Sequence, residues 1–142
     1  MRNLIAIAIV FLLSGCTKIH RVSGRIAGKW QLISYKRTNY EGMISYPAAS
    51  GSAAFDELST PEDSAVYTFQ IARTIDALDD SLLERGTYKL VEKGNFMYLN
   101  EQDNLDQTIS YIKYRILSST DSDLEIEFSK GTNTDILLFS KK

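Results

Sequence analysis

The sequence has few of the residues that usually carry catalysis or metal binding. Its 142 residues include one cysteine and one histidine. A chain with one cysteine cannot form an internal disulfide, so its folded domain depends on an apolar core. The one histidine, His20, rules out most histidine-based nucleophilic and metal sites. Carboxylates cluster at three places between predicted strands, where solvated turns explain them: Asp76, Asp79 and Asp80; Asp103 and Asp106; Asp121 and Asp123. We therefore expect no catalysis, no metal and no cofactor.

The sequence also lacks an excess of charge of either sign and a long apolar run. It has 16 Lys and Arg against 18 Asp and Glu. A nucleic-acid partner needs a basic face, so we expect none. The longest apolar run, residues 4–13, is only half the length of about 20 residues that a membrane-spanning helix requires.

The N-terminus has the layout of an export signal. A short basic start, Met1-Arg2-Asn3, precedes the apolar run, and the small residues Ser14 and Gly15 then precede Cys16. We predict a signal peptide over residues 1–15.

The stretch Leu-Ser-Gly-Cys that ends at Cys16 resembles the lipobox of bacterial lipoproteins. The resemblance implies that the chain is cleaved before Cys16, that a diacylglycerol is attached to its thiol and that its new amine is acylated. Two or more acyl chains make a durable membrane anchor. Because Thr17 follows in place of an aspartate, and no acidic run comes next, the resemblance implies the outer membrane, facing the periplasm. The alternative is an ordinary cleaved signal that leaves a free cysteine.

Residues 16–25, which include the polar and basic stretch TKIHRVSGR, are predicted to form a tether between membrane and domain. This tether is either a solvated spacer or a segment whose basic side chains lie against anionic headgroups. The folded domain is then predicted to occupy residues 26–142.

Most of that domain alternates between apolar and polar residues with the period of two that half-buried antiparallel strands show. Seven strands are clear, joined by turns such as Lys130-Gly131-Thr132-Asn133. The stretch WQLISYKR places Trp30 and Leu32 on one face and Tyr35 on the other. Only IDALDDSLLERG is predicted to form a helical turn. Seven or more such strands usually close on themselves, which predicts an all-β, small antiparallel up-and-down barrel.

One long connection, residues 39–63, interrupts the pattern of strands. It is rich in Ala, Ser and Gly but also holds Met43, Ile44, Tyr46 and Phe55. A compact domain seldom carries so long a loop unless the loop covers a site, so two interpretations remain: a cover for the barrel mouth, or a surface insertion.

Gly28-Lys29-Trp30, at the head of the first strand, resembles the Gly-x-Trp signature of lipocalins. The lipobox followed by IAGKWQLISY, RGTYKLVEKGNFMYL and YRILSSTDSDLEIEF is similar to lipocalin-like lipoproteins of Bacteroidetes-type bacteria. The resemblance implies a barrel of about eight strands, open at one end, with Trp30 packed at the closed end. It also implies a basic residue late in the chain across that tryptophan, for which only Lys141 and Lys142 are available. The eighth strand would lie in the long loop or near DSLLERG.

Two functions follow from this prediction. In the first, the barrel interior binds a small hydrophobic ligand. In the second, the core is filled, and the barrel is an envelope scaffold whose outer face, with Tyr35 and Tyr111, docks another protein. For the first, the candidate ligand-binding residues are those predicted to face inward: Tyr67, Phe69, Tyr88, Leu90, Ile112, Tyr114 and Ile126.

Overall fold

The computed structural model describes residues 18–60, 63–101 and 111–142. The predicted signal peptide and Cys16 lie outside the described residues. The described strands, in chain order, are β1 (Gly28–Thr38), β2 (Ile44–Ser45), β3 (Ala49–Phe55), β4 (Ala65–Ile75), β5 (Leu78–Val91), β6 (Phe96–Glu101), β7 (Tyr111–Ser119), β8 (Asp123–Lys130) and β9 (Asn133–Lys141).

The strands form one closed antiparallel barrel, which confirms the predicted fold class. Each strand from β3 to β8 pairs with the next one in sequence, and β1 pairs with both β3 and β9 to close the ring. The two-residue strand β2 is added beside the end of β1, at Arg37 and Thr38. Eight strands make the barrel, and closure leaves no exposed sheet edge along most of its circumference.

The eighth strand lies in the long connection, as the lipocalin resemblance implied. The small residues of β3 pair with β1 on one side and β4 on the other. At Gly51, where φ is +143°, an added Cβ would lie 2.0 Å from the carbonyl oxygen of Gln70. Only glycine allows so close an approach of the two backbones.

The stretch predicted to form a helical turn is instead the β4–β5 hairpin. Ile75 pairs with Leu78 across a two-residue turn, in which Asp76 and Ala77 both have positive φ, 51° and 62°. Such primed turns match the twist of the flanking strands. Long pairing between β4 and β5 therefore outweighs the local helical spacing of the leucines.

Tyr35 is also placed differently from the prediction. The pairing of β1 with β9 shifts between Leu32 and Ser34, and this bulge leaves Ile33 59% exposed. Beyond the bulge the alternation is reversed, so Tyr35 points inward with Trp30 and Leu32 and is 2% exposed. A bulge that adds one residue reverses the facing of every later side chain.

A helix, α1 (residues 18–26), occupies most of the segment that was predicted to be an extended tether. Its outward residues include Lys18 and Arg21, whereas Val22 and Ile26 are buried in the core cluster. The apolar positions are spaced by three or four residues, which places them on one face of a helix. The helix therefore covers one end of the barrel, and the packed structure begins before residue 26.

Trp30 lies at this closed end, as the resemblance implied. It is fully buried, and its Nε1 donates a hydrogen bond to the carbonyl oxygen of Ile26 at 2.7 Å. The Nζ of Lys141 lies 5.2 Å from the centre of the Trp30 ring. Lys141 is thus the late basic residue that lies across the tryptophan, and cation–π attraction adds to the packing there.

Candidate functional site

The predicted ligand-binding residues all belong to the barrel interior. Six of them are 5% exposed or less, and Ile112 is partly buried against the same cluster. Their side chains pack mainly on one another and on Phe55, Phe128 and Phe139.

Aromatic rings meet across the lumen. Phe69 of β4 lies 6.0 Å from Tyr114 of β7 and 6.4 Å from Phe139 of β9, although neither strand neighbours β4. Such distances are those of rings in contact. At this level the barrel is filled by its own side chains.

Two tyrosines of the interior, Tyr88 and Tyr35, use their hydroxyls for internal hydrogen bonds. The hydroxyl of Tyr88 donates to the carbonyl oxygen of Asp56 at 2.6 Å, which ties the β3–β4 connection to the barrel. Burial, and then the charge of Asp56, raises the pKa of Tyr88 above its ordinary value. Burial also raises the pKa of Tyr114, with a further contribution from the charge of Glu84. The hydroxyls of Tyr88 and Tyr114 therefore stay protonated at neutral pH.

A buried ion pair lies inside the barrel towards the end opposite α1, which we call the open end after the lipocalin resemblance. Arg37 donates to both carboxylate oxygens of Asp135, from Nε at 2.7 Å and from Nη2 at 2.9 Å. The Asp135 side chain is fully buried and that of Arg37 is 17% exposed. Two parallel hydrogen bonds of this kind fix the geometry as well as the charge. Burial, followed by the charge of Asp135, raises the pKa of Tyr35 to about 12.

A second arginine connects this pair to the rim. Arg73 donates to the hydroxyl of Tyr35 at 3.3 Å and to the carboxylate of Asp80 at 2.7 Å and 2.9 Å. The Arg73 side chain is 8% exposed, whereas that of Asp80 is 49% exposed. The positive charge and hydrogen bonds of Arg73 lower the pKa of Asp80. A chain of polar contacts thus runs from the interior to the solvent at the open end.

A groove of about 610 Å³ adjoins Arg73 at this rim, between the ends of β3, β4 and β5. Its walls are small or polar side chains: Ala48, Ala49, Ser50, Ala72, Thr74, Asp79 and Ser81. Small side chains leave room, and Arg73 and Thr74 supply polar groups beside apolar surface. The groove thus combines the apolar surface of three alanines with six polar or charged side chains, which would orient an amphipathic small molecule.

Exposed apolar side chains surround the open end. The connection from β1 to β3 and the hairpin from β4 to β5 both lie there, and between them they expose Tyr40, Met43, Ile44, Tyr46 and Leu78 by 55% to 73%. The loop that carries the first four is ordered. The Oδ1 of Asn39 accepts hydrogen bonds from the backbone N–H groups of Glu41 and Met43, and β2 pairs with β1. Four exposed apolar side chains on one loop make it a candidate interaction surface.

Sequence reasoning missed the polar residues of the open half, although part of the signal was present. Arg73 is in phase with Tyr67, Phe69 and Ile71 along β4, and Asp135 is in phase with Leu137 and Phe139 along β9. The same alternation that predicted the core therefore indicated two inward charges. Arg37 follows the β1 bulge, which reverses its facing, so its sequence position gave no such indication.

The chain matches no protein-family model, and no curated protein is significantly similar in sequence. Across the described ranges, no cluster of three or more His, Cys, Asp or Glu side chains is arranged to hold a metal ion. In the same part of the chain, no helix combines the length and apolar character needed to cross a membrane.

Proposed function

We propose that this chain is a lipocalin-like lipoprotein, acylated at Cys16 and held in the cell envelope at the periplasmic face of the outer membrane, whose barrel binds a small hydrophobic molecule at its open end. The observation that carries the binding proposal is the rim groove beside Arg73. Because aromatic rings fill the lumen below, we place the ligand at the rim instead of among the residues of the interior.

The dimensions and chemistry of the groove support a small amphipathic ligand. Small-molecule sites typically occupy roughly 300 to 1,000 Å³, and this groove of about 610 Å³ lies within that range. Ala48, Ala49 and Ala72 would contact an apolar portion. A polar or anionic group would lie against Arg73 and Thr74, whose present partners, Asp80 and Asp79, are exposed at the rim.

Filling the groove tests this proposal. Ala72 is exposed on β4, so Ala72→Trp places a large side chain in the groove without entering the core. Gln70→Trp, two residues earlier on the same face of the same strand, is the matched control because Gln70 does not line the groove. Both are made in a Cys16→Ser chain, which needs no detergent, and binding of fluorescent fatty-acid probes is titrated. We expect Ala72→Trp alone to weaken binding by at least about tenfold, or 1.4 kcal/mol. Native mass spectra without adducts, together with equal probe binding by both variants, would exclude the ligand.

A second candidate function is docking of another envelope protein on the apolar rim. The observation that favours it is the ordered display of Tyr40, Met43, Ile44 and Tyr46. Tyr35 plays no part in such a surface because it is buried, and the side chain of Tyr111 lies outside the described residues.

Crosslinking in membranes separates the two functions. A Met43→Ser and Tyr46→Ser double variant should lose a stoichiometric crosslinked partner while keeping its affinity for fatty-acid probes. Ile33→Ser is the control, since Ile33 is 59% exposed but lies on the barrel wall. Recovery of the same partner with the double variant would argue against docking at the rim.

A further inference from the structure

We infer that the closed end of the barrel rests against the bilayer that holds the lipid anchor, and that the open end faces away from it. This inference rests on the proposed acylation of Cys16. It concerns the surface formed by α1 and the adjoining Glu92–Gly94 turn and β7–β8 turn, which we call the closed-end surface.

The first turn of α1 is attached to the barrel. The Nζ of Lys18 donates to the Oδ1 of Asn95 at 2.7 Å. Val22, one turn later, is buried against Gly94, where an added Cβ would lie 3.2 to 3.4 Å from the Val22 side chain. The start of the helix is therefore held at the β5–β6 connection.

The last turn of α1 is attached to three further strands. Arg25 donates to the carbonyl oxygen of Ser119 at 3.2 Å and lies 3.5 Å from the carboxylate of Asp121. Its own carbonyl oxygen accepts a hydrogen bond from the Nζ of Lys141 at 3.4 Å. Trp30 binds the carbonyl of Ile26 from below. With both ends fixed, α1 is part of the rigid barrel, not a spacer.

The chain between the anchor and this rigid body is very short. One residue, Thr17, separates Cys16 from Lys18, and the two Cα–Cα steps from Cys16 to Lys18 span at most about 7 Å even when fully extended. A flexible tether through residue 25 would have reached several times as far and let the barrel turn freely. Since α1 takes up that length, an acylated Cys16 must lie within about 7 Å of the Lys18 Cα, at the closed-end surface.

The charge of α1 suits this placement. Residues 17–30 contain no Asp or Glu, and the helix exposes Lys18, His20 and Arg21. Lys or Arg near an anionic lipid surface contributes roughly 1 kcal/mol each. Acidic residues at this end lie outside α1: Glu92 is paired with Lys113 and Asp121 with Arg25, Asp123 begins β8, and Asp56, Glu57 and Asp63 lie in the β3–β4 connection.

The open end is then remote from the membrane. An eleven-residue strand such as β1, rising about 3.3 Å per residue and tilted by about 40°, separates the two ends by roughly 28 Å. The rim groove and the apolar loop would face the aqueous compartment, so a ligand or partner would arrive from solution and not by lateral diffusion within the bilayer.

Fluorescence quenching in proteoliposomes tests the orientation. Acylated protein is reconstituted in vesicles that contain phosphatidylglycerol and a phosphatidylcholine with a nitroxide on its headgroup. Thioether-linked Cys16 does not react with maleimides, so a bimane label can be placed on Lys93→Cys at the closed end or on Glu41→Cys at the open end; both positions are exposed. We expect at least about threefold stronger quenching at residue 93, because roughly 28 Å separates the two ends.

A spacer insertion is the control. About 15 Gly and Ser residues, inserted between Thr17 and Lys18, would span about 20 Å on average and should remove most of the difference between the two labels. Equal quenching of both labels in acylated protein of native length would overturn the orientation and leave the anchor intact. An intact mass without acyl groups would overturn the anchor itself and the orientation with it. If the difference in quenching between the two labels persists after the insertion, the short connection between Cys16 and α1 is not what orients the barrel, and the inference is refuted.

Discussion

Replacing Asp135 by Asn tests whether the buried ion pair stabilises the open half of the barrel. Asp135 is fully buried and accepts two hydrogen bonds from Arg37, at 2.7 Å and 2.9 Å. Asparagine keeps the shape of the side chain but not its charge, and its amide cannot accept both bonds. The change would leave the Arg37 guanidinium largely buried without its counter-charge.

The expected loss is about 3 kcal/mol in the free energy of unfolding. Breaking a buried pair by removing one partner costs about 3 to 5 kcal/mol, and the 17% exposure of the Arg37 side chain places this pair at the lower end. For a domain of this size, that loss lowers Tm by on the order of 10 °C. Glu92→Gln is the comparison, because the Glu92–Lys113 pair has a similar distance of 2.8 Å but side chains that are 54% and 43% exposed. Exposed pairs contribute less than about 1 kcal/mol.

The assay is urea unfolding followed by the fluorescence of Trp30. This is the sole tryptophan, and it lies at the opposite end of the barrel, so its signal reports global unfolding and not a local change at Asp135. An Arg37→Met and Asp135→Leu double variant should recover most of the stability, because apolar replacement of a buried pair is often neutral. The reasoning is refuted if Asp135→Asn loses no more stability than Glu92→Gln.

Four further predictions follow from individual contacts. Trp30→Phe should lower the free energy of unfolding by about 2 to 3 kcal/mol, because the buried carbonyl oxygen of Ile26 loses its hydrogen-bond donor. Urea unfolding followed by far-UV circular dichroism measures this change, and a loss below about 1 kcal/mol would contradict the prediction. Gly86→Ala should lower the free energy of unfolding by more than about 3 kcal/mol, since the added Cβ would lie 1.9 Å from the carbonyl oxygen of Asn100. Gly24→Ala, at a position in α1 where an added Cβ would have no atom within 4 Å, should raise the free energy of unfolding by about 0.5 to 1 kcal/mol. Burial raises the pKa of Tyr35 in the folded protein from 10.0 to about 12. The contribution of its protonated hydroxyl to stability is therefore present below about pH 10 and is lost as the pH rises towards 12. Thermal unfolding at several pH values should show that Tyr35→Phe loses less stability over this interval than the wild-type protein does. Cys16→Ser should move the protein from the membrane to the soluble fraction, and continued membrane association would contradict acylation as the anchor.

Much of the barrel could be predicted from the alternation of side chains. Along β8, Leu124, Ile126 and Phe128 are buried, as the period of two requires. The same pattern placed Tyr67 and Phe69 in the core. Where strand pairing is regular, the position of a residue along the strand decides on which side of the sheet its side chain lies, and burial of the apolar side decides which side faces the core.

The features that were not predicted depend on contacts between distant parts of the chain. The β1 bulge, which turns Tyr35 and Arg37 inward, is a property of pairing with β9. The turn at Asp76 and Ala77 is imposed by eleven paired positions between β4 and β5. The bulge and the turn cost little free energy compared with the strand pairing that they permit. Because that pairing involves residues far apart in sequence, the local sequence alone does not reveal either feature.

The sequence by itself determined seven of the strands and the closure into a barrel, because those follow from period and size, and the lipocalin resemblance implied the position of Trp30 at one end. Only the tertiary structure decided that residues 18–26 form a helix on the closed end, that aromatic rings meet across the lumen, and that Arg37, Arg73 and Asp135 lie within the open half. Each of these depends on which side chains meet across the barrel, and that is set by register and bulges between strands far apart in sequence.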